Sequence, residues 1–174
     1  MIYPSVVSNC SHGRCLRAQS DLNPGTIVEI LEGNILEREQ VPENEIRYAI
    51  WINTDTWMIL ETNARYINHS CLPNCYINDD LHIITTKAVK KGEELTISYN
   101  VVFPNENPGI WDENWTFECR CGAENCQKII NKYISEDGTP WTPDSQINNS
   151  RNEVSNNLSV NIENVYPLDV ISAK

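Results

Sequence analysis

No long window of this 174-residue chain repeats apolar residues at the 3.6-residue period of an amphipathic helix. What recurs instead are short β-rich runs punctuated by turn residues. Thr26-Ile27-Val28-Glu29-Ile30-Leu31 follows a Pro24-Gly25 turn, and Ile46 to Leu60 is dense in β-branched and aromatic residues. Leu81 to Thr86 follows Asn78-Asp79-Asp80, and Leu95 to Tyr99 follows Lys90-Lys91-Gly92-Glu93-Glu94. The pattern predicts a mainly β fold with few, short helices, on a chain long enough to bury one real core.

The character changes after Tyr99. Pro104 to Gly109 reads as a loop, followed by Trp111, Trp115, Phe117 and a cysteine cluster. From Ser135 onward Asn, Ser, Asp and Glu dominate, too little apolar surface to offset the entropy of ordering. The expected organisation is therefore a β domain over 1–100, a linker and small irregular module over 101–134, and a polar, Asn-rich, disordered tail over 135–174.

Twenty-four acidic side chains against 13 basic ones give a net charge of −11. The averaged field repels phosphate backbones and anionic membranes, so no direct nucleic-acid or membrane partner is expected. The same field favours lysine-rich partners, although acidity also serves solubility alone. The start, Met1 to Val7, lacks a basic region followed by an apolar one, and no run is long and apolar enough to cross a bilayer. An intracellular, soluble chain is expected, with nuclear or cytoplasmic residence left open. Seven cysteines, an odd number, then favour thiols or a metal site over a disulfide framework.

Cys119-Arg120-Cys121-Gly122-Ala123-Glu124-Asn125-Cys126 has C-x-C-x4-C spacing, which lets three thiolates converge on one ion where the loop turns at Gly122. A structural zinc needs a fourth ligand, for which Cys10, Cys15, Cys71 and Cys75 are the candidates. The most informative stretch is Ala64-Arg65-Tyr66-Ile67-Asn68-His69-Ser70-Cys71-Leu72-Pro73-Asn74-Cys75, a polar and irregular segment between apolar strands. His69 beside Ser70 or Cys71 hints at a hydrolase, but no glycine-flanked nucleophile elbow is present.

This stretch resembles the R-[FY]-x-N-H-S-C-x-P-N signature of the SET domain family of protein-lysine methyltransferases. Three more segments agree, in order. Asp21 to Val28 resembles the family's first strand pair, Gly92 to Tyr99 its G-E-E-L-T-x-x-Y strand, and Trp115 to Cys126 its post-SET W-x-F-x-C-x-C-G-x3-C module. The resemblance runs from residue 11 to about 130. It implies several small sheets with a knotted-looking active-site segment, and S-adenosylmethionine-dependent methylation of lysine in a protein, a basic histone-like tail being one candidate. It also implies that Tyr99 is catalytic, and that His12, Gly13, Arg14, Tyr48, Arg65, Asn68 and His69 line the cofactor site. Cys71 then joins Cys119, Cys121 and Cys126 on a structural zinc, leaving Cys10, Cys15 and Cys75 free.

In-line methyl transfer asks the protein mainly to align a neutral amine with the methyl carbon and the sulfonium. Neutralising a lysine of pKa near 10.4 costs about 4 to 5 kcal/mol at neutral pH, and a narrow apolar channel beside a sulfonium lowers that cost. No metal takes part in the step; the zinc is expected to fasten the post-SET loop as a lid. Three positions depart from the family pattern. Leu31 stands where relatives often carry a channel tyrosine, Cys15 replaces the second glycine of the early loop, and Ile97 replaces a larger aromatic that limits how many methyl groups fit. Leu31 and Cys15 support an alternative, a weak or inactive scaffold that binds lysine peptides without turning them over.

Overall fold

The computed structural model describes residues 3–11, 13–53, 56–102 and 108–142. The chain divides into a unit Met1–Trp141 and a second, Thr142–Lys174, of which only Thr142 is among the described residues. Ten strands make the front of the first unit: β1 (Ser5–Cys10), β2 (Gly13–Ala18), β3 (Ile27–Ile30), β4 (Gly33–Glu37), β5 (Ala49–Asn53), β6 (Thr56–Leu60), β7 (Asn68–His69), β8 (Cys75–Ile77), β9 (His82–Thr85) and β10 (Glu94–Ile97). Four two-residue strands follow: β11 (Val101–Val102), β12 (Phe117–Glu118), β13 (Ile129–Ile130) and β14 (Ile134–Ser135). The helical turns among the described residues are all short 3-10 turns, at Arg38–Gln40, Ile46–Tyr48, Asn63–Tyr66 and Glu113–Trp115. The fold is mainly β, as the runs predict.

The strands form small sheets: β1-β2-β10-β7, β3-β9-β8, β4-β6-β5 and the pairs β11-β14 and β12-β13. The inner faces of the first three meet in one core, in which Leu16, Val28, Ile83, Val89 and Leu95 are fully enclosed. A bulge between Ile27 and Glu29 where β3 meets β9 breaks the alternation, so Val28 and Glu29 are both buried. Glu29 has its carboxylate held by the Ser5 hydroxyl (3.4 Å) and the Ile30 N–H (3.2 Å).

Gly33, opposite Leu60 in the β4–β6 ladder, is fixed by close approach. A Cβ there would lie 1.9 Å from the Ile59 carbonyl oxygen, a backbone atom that cannot swing away. Gly33→Ala is therefore expected to force the two strands apart and cost about 2 to 3 kcal/mol, read as a lower denaturation midpoint.

The cysteine loop returns to the β unit through β14, which pairs in parallel with β11 (Val101↔Ile134). The chain is built in through Trp141: Ser135 N–H donates to the Thr139 carbonyl at 2.8 Å, and the Trp141 ring meets Tyr133 at 6.4 Å. Residues 135–141, which composition assigned to the tail, thus belong to the first unit because two aromatic rings give them a surface to pack on. The disorder expected further on concerns residues 143–174, outside the described ones.

Candidate active site

The irregular Asn68–Asn74 segment is laced to β10. β7 pairs in parallel with β10 (Asn68↔Thr96, His69↔Ile97), and Ser70 N–H donates to the Ile97 carbonyl at 2.9 Å. Buried Asn74 then accepts from Thr96 N–H (2.9 Å) and donates to the Glu94 carbonyl (2.8 Å). One side chain thereby satisfies backbone groups that the two-residue ladder leaves unpaired. This lacing is the knotted-looking segment that the resemblance implies.

It delivers Tyr99, just past the end of β10, against the turn. The Tyr99 hydroxyl donates to the Ile67 carbonyl at 2.5 Å, and the Tyr99 N–H donates to His69 Nδ1 at 3.1 Å. The residue is 46% exposed, but its hydroxyl turns in onto the Ile67 carbonyl. Burial, with the Glu94 charge adding to it, pushes this phenol well above its ordinary pKa. It therefore stays protonated. Phe117, brought in by β12, completes a ring cluster: its centroid is 6.0 Å from Tyr99 and 5.6 Å from His69, and His69 and Tyr99 lie 5.3 Å apart.

Burial pulls the His69 imidazole down to about 4, so it is neutral at ordinary pH. Because Nδ1 accepts from Tyr99, the ring proton sits on Nε2, which lies 3.3 Å from Cys71 Sγ. One imidazole thus connects the Tyr99 backbone to a cysteine sulfur.

That sulfur belongs to a set. The Sγ atoms of Cys71, Cys119, Cys121 and Cys126 all lie within 4.8 Å of one another, with Cys71 and Cys119 at 3.8 Å. A tetrahedral site with metal–sulfur bonds near 2.3 Å puts its sulfurs about 3.8 Å apart, so the set can hold a metal ion. Gly122, at φ +73°, makes the turn that folds the loop back. Backbone N–H groups point at the sulfurs, from Gln127 to Cys71 (3.4 Å) and from Cys71 to Cys121 (3.5 Å). Burial raises the Cys119 thiol to about 12. For Cys121 burial also acts upward, but the N–H groups of Cys71 and Ala123 and the thiols of Cys119 and Cys126 outweigh it and bring it down to about 6. The chain leading into the loop is tied down independently of any ion, through the Trp57–Trp115 edge contact (4.0 Å) and the Arg38–Asp112 ion pair.

On the other side of Asn68, the residues expected at a cofactor form a connected chain of contacts. Arg14 lies over the Tyr66 ring (4.3 Å) and donates to its hydroxyl at 2.8 Å. Arg65 lies 4.3 Å over the Tyr48 ring and 5.9 Å over that of Tyr66, and pairs with Glu45 at 3.3 Å. The Arg65 Nε is buried without a protein partner. Asn68 Nδ2 donates to Glu94 (2.8 Å) and to the Arg14 carbonyl (3.3 Å). Gly13 opens β2 at the edge of this region, and His12 lies outside the described residues. Tyr66, Glu94 and Phe117 join the site without having been assigned roles; each sits inside a matched motif, which was the available signal. Leu31 and Ile97 are buried in the core.

Comparison with known proteins fits this geometry. The chain is 32% identical over 137 residues to human histone-lysine N-methyltransferase 2D, the match covering 68% of this chain and 2% of that protein. It is 29% identical over 147 residues to histone-lysine N-methyltransferase trithorax of Drosophila virilis, covering 74% of this chain and 4% of that protein. The chain thus spans only a small part of these relatives' length. The structure of KRYPTONITE in complex with DNA, an H3(1–15) peptide and SAH superposes with a TM-score of 0.57 at 22% identity, covering 73% of this chain and 29% of that one. The SET domain family itself matches residues 13–100, the segment that carries β2 through Tyr99 and every strand of the laced turn, and the chain belongs to that family.

Proposed function

We propose that this chain transfers a methyl group from S-adenosylmethionine to the side-chain amine of a lysine in a protein, with a basic histone-like tail as the substrate class. The observation that carries the reading is the placement of the Tyr99 hydroxyl beside the Asn68-His69 turn, with Phe117 beside both. The relatives' activity and the SAH and H3 peptide held by KRYPTONITE support it.

S-adenosylmethionine, when bound, supplies the electrophilic methyl group and a positive charge. Arg65, with a buried Nε lacking a protein partner, suits a carboxylate, and the Tyr48 and Tyr66 faces suit a cationic or aromatic group. The Tyr99 phenol, held protonated and already donating to Ile67, keeps lone pairs that accept an amine N–H, so the amine lone pair is left to point at the methyl carbon. Phe117 and the His69 ring supply apolar walls that disfavour ammonium. The four thiols fit zinc, which would bind Cys71, Cys119, Cys121 and Cys126 and brace the wall that carries Phe117, with no part in the transfer.

The test is transfer of labelled methyl groups to histone H3 and to lysine peptides, with incorporation expected on lysine. Binding of the same peptides without incorporation would favour the second reading, a lysine-peptide binding module, which rests on Leu31 being an apolar core residue where a channel hydroxyl is usual. Ile97 leaves more room than an aromatic ring. The enzyme is expected to add more than one methyl group, and Ile97→Phe to shift the product toward monomethyl-lysine, as read by peptide mass spectrometry.

A further inference from the structure

Cys10 and Cys15 belong to neither the four-thiol set nor the reacting centre, and Glu94 meets the candidate site only through the Asn68 amide. Strand register brings them together. β1 and β2 pair with Ser8↔Cys15 and Cys10↔Gly13, and β10 pairs with β2 at Glu94↔Arg17. Because alternate residues share a face, all three lie on the side of the sheet opposite Leu16 and Leu95, which face the core. There the two sulfurs and a Glu94 carboxylate oxygen all lie within 4.8 Å of one another. Cys15 is 0% exposed, while Cys10 and Glu94 are half-buried.

Apolar packing does not account for this grouping. Asn68 spends its amide on orienting the group: Nδ2 donates to Glu94 Oε1 at 2.8 Å and lies 3.6 Å from Cys10 Sγ. A bound cation would take two thiolates and a carboxylate as its donors. Bonds of about 2.3 Å to sulfur and 2.0–2.2 Å to oxygen place such donors roughly 3.5 to 3.8 Å apart, inside the 4.8 Å limit that the three atoms already keep.

We propose that Cys10, Cys15 and Glu94 form a second metal site, for a thiophilic divalent cation of the zinc class, with a fourth tetrahedral position open on the half-exposed side. Binding replaces two thiol protons with the ion and releases them to solvent. The amide of Asn68 holds the ligating carboxylate in place, as outer hydrogen bonds do at metal sites. The ion would fasten β1, β2 and β10 together and, through Glu94, fix the Asn68 side chain.

The test is to strip the full chain of metal under reducing conditions and titrate it with Co2+, counting ions by thiolate-to-cobalt absorption and native mass spectrometry. Two ions per chain are expected for the wild type and one for Cys10→Ser or Cys15→Ser. Glu94→Gln should retain a second ion at about tenfold or more weaker affinity with an altered spectrum. Cys10→Ser sits at a half-buried position, so it keeps the test decisive if Cys15→Ser fails to fold, with far-ultraviolet dichroism as the check. One ion in the wild type, or two in Cys10→Ser, overturns the proposal. So does a Cys10–Cys15 disulfide in chain prepared without reductant if reduction restores no second ion. The count does not depend on methyl transfer, so a chain inactive toward lysine still gives the answer.

Discussion

Tyr99→Phe is expected to slow methyl transfer by about 10²- to 10⁴-fold, the range over which a positioned proton-handling group contributes. The substitution leaves the ring, so the contacts with His69 and Phe117 survive. It removes the one hydroxyl that both reaches the Ile67 carbonyl and faces the turn. Leaving that carbonyl without its donor costs about 1 kcal/mol of stability, too little to unfold the domain. Initial rates at saturating cofactor should therefore fall while cofactor affinity and the melting temperature change little. A rate within a factor of about three of wild type would remove Tyr99 from the chemistry.

The second large effect should follow loss of the zinc proposed for the four-thiol set. Cys126→Ser leaves three thiolates where a tetrahedral site needs four, and methyl transfer is expected to fall by about 100-fold or more as the loop loses its brace. The β core should persist. Its enclosed residues, Leu16, Val28, Ile83 and Leu95, come from strands outside the loop, and Trp57–Trp115 and Arg38–Asp112 still hold the loop's approach. Hydrogen exchange should show residues 119–130 opening while β2, β9 and β10 stay protected. Equal loss of protection across both regions would mean that the ion holds up the whole unit.

What the sequence made legible was whatever sits in short contiguous patterns. Tyr99 and Cys119, Cys121 and Cys126 are close neighbours in motifs whose geometry is largely local, and the β-rich runs became β3, β9 and β10 with ends shifted by a residue or two. Ile46–Leu60, one stretch by composition, divides into a 3-10 turn and two antiparallel strands, because composition does not mark where a ladder reverses. The contacts of Tyr66 and Glu94 were out of reach for a different reason. Both depend on β10 lying between β2 and β7, a register set by strands far apart in sequence. Cys10 and Cys15 illustrate the same limit: the resemblance leaves both thiols without a role, yet sheet register sets them beside Glu94.

The lacing of Asn68–Asn74 onto β10 also fixes an order of events at the ribosome. Until Glu94–Ile97 has emerged, Asn74 has no backbone to bind and Asn68 and His69 have no strand to lie against. The hairpins β1–β2 and β5–β6 need only near neighbours and can close early, whereas this pairing must wait for a distant strand. The contact of Tyr99 with the Asn68-His69 turn is thus a late arrival in biogenesis. A nascent chain halted before β10 would carry most of its strands and no laced turn at all.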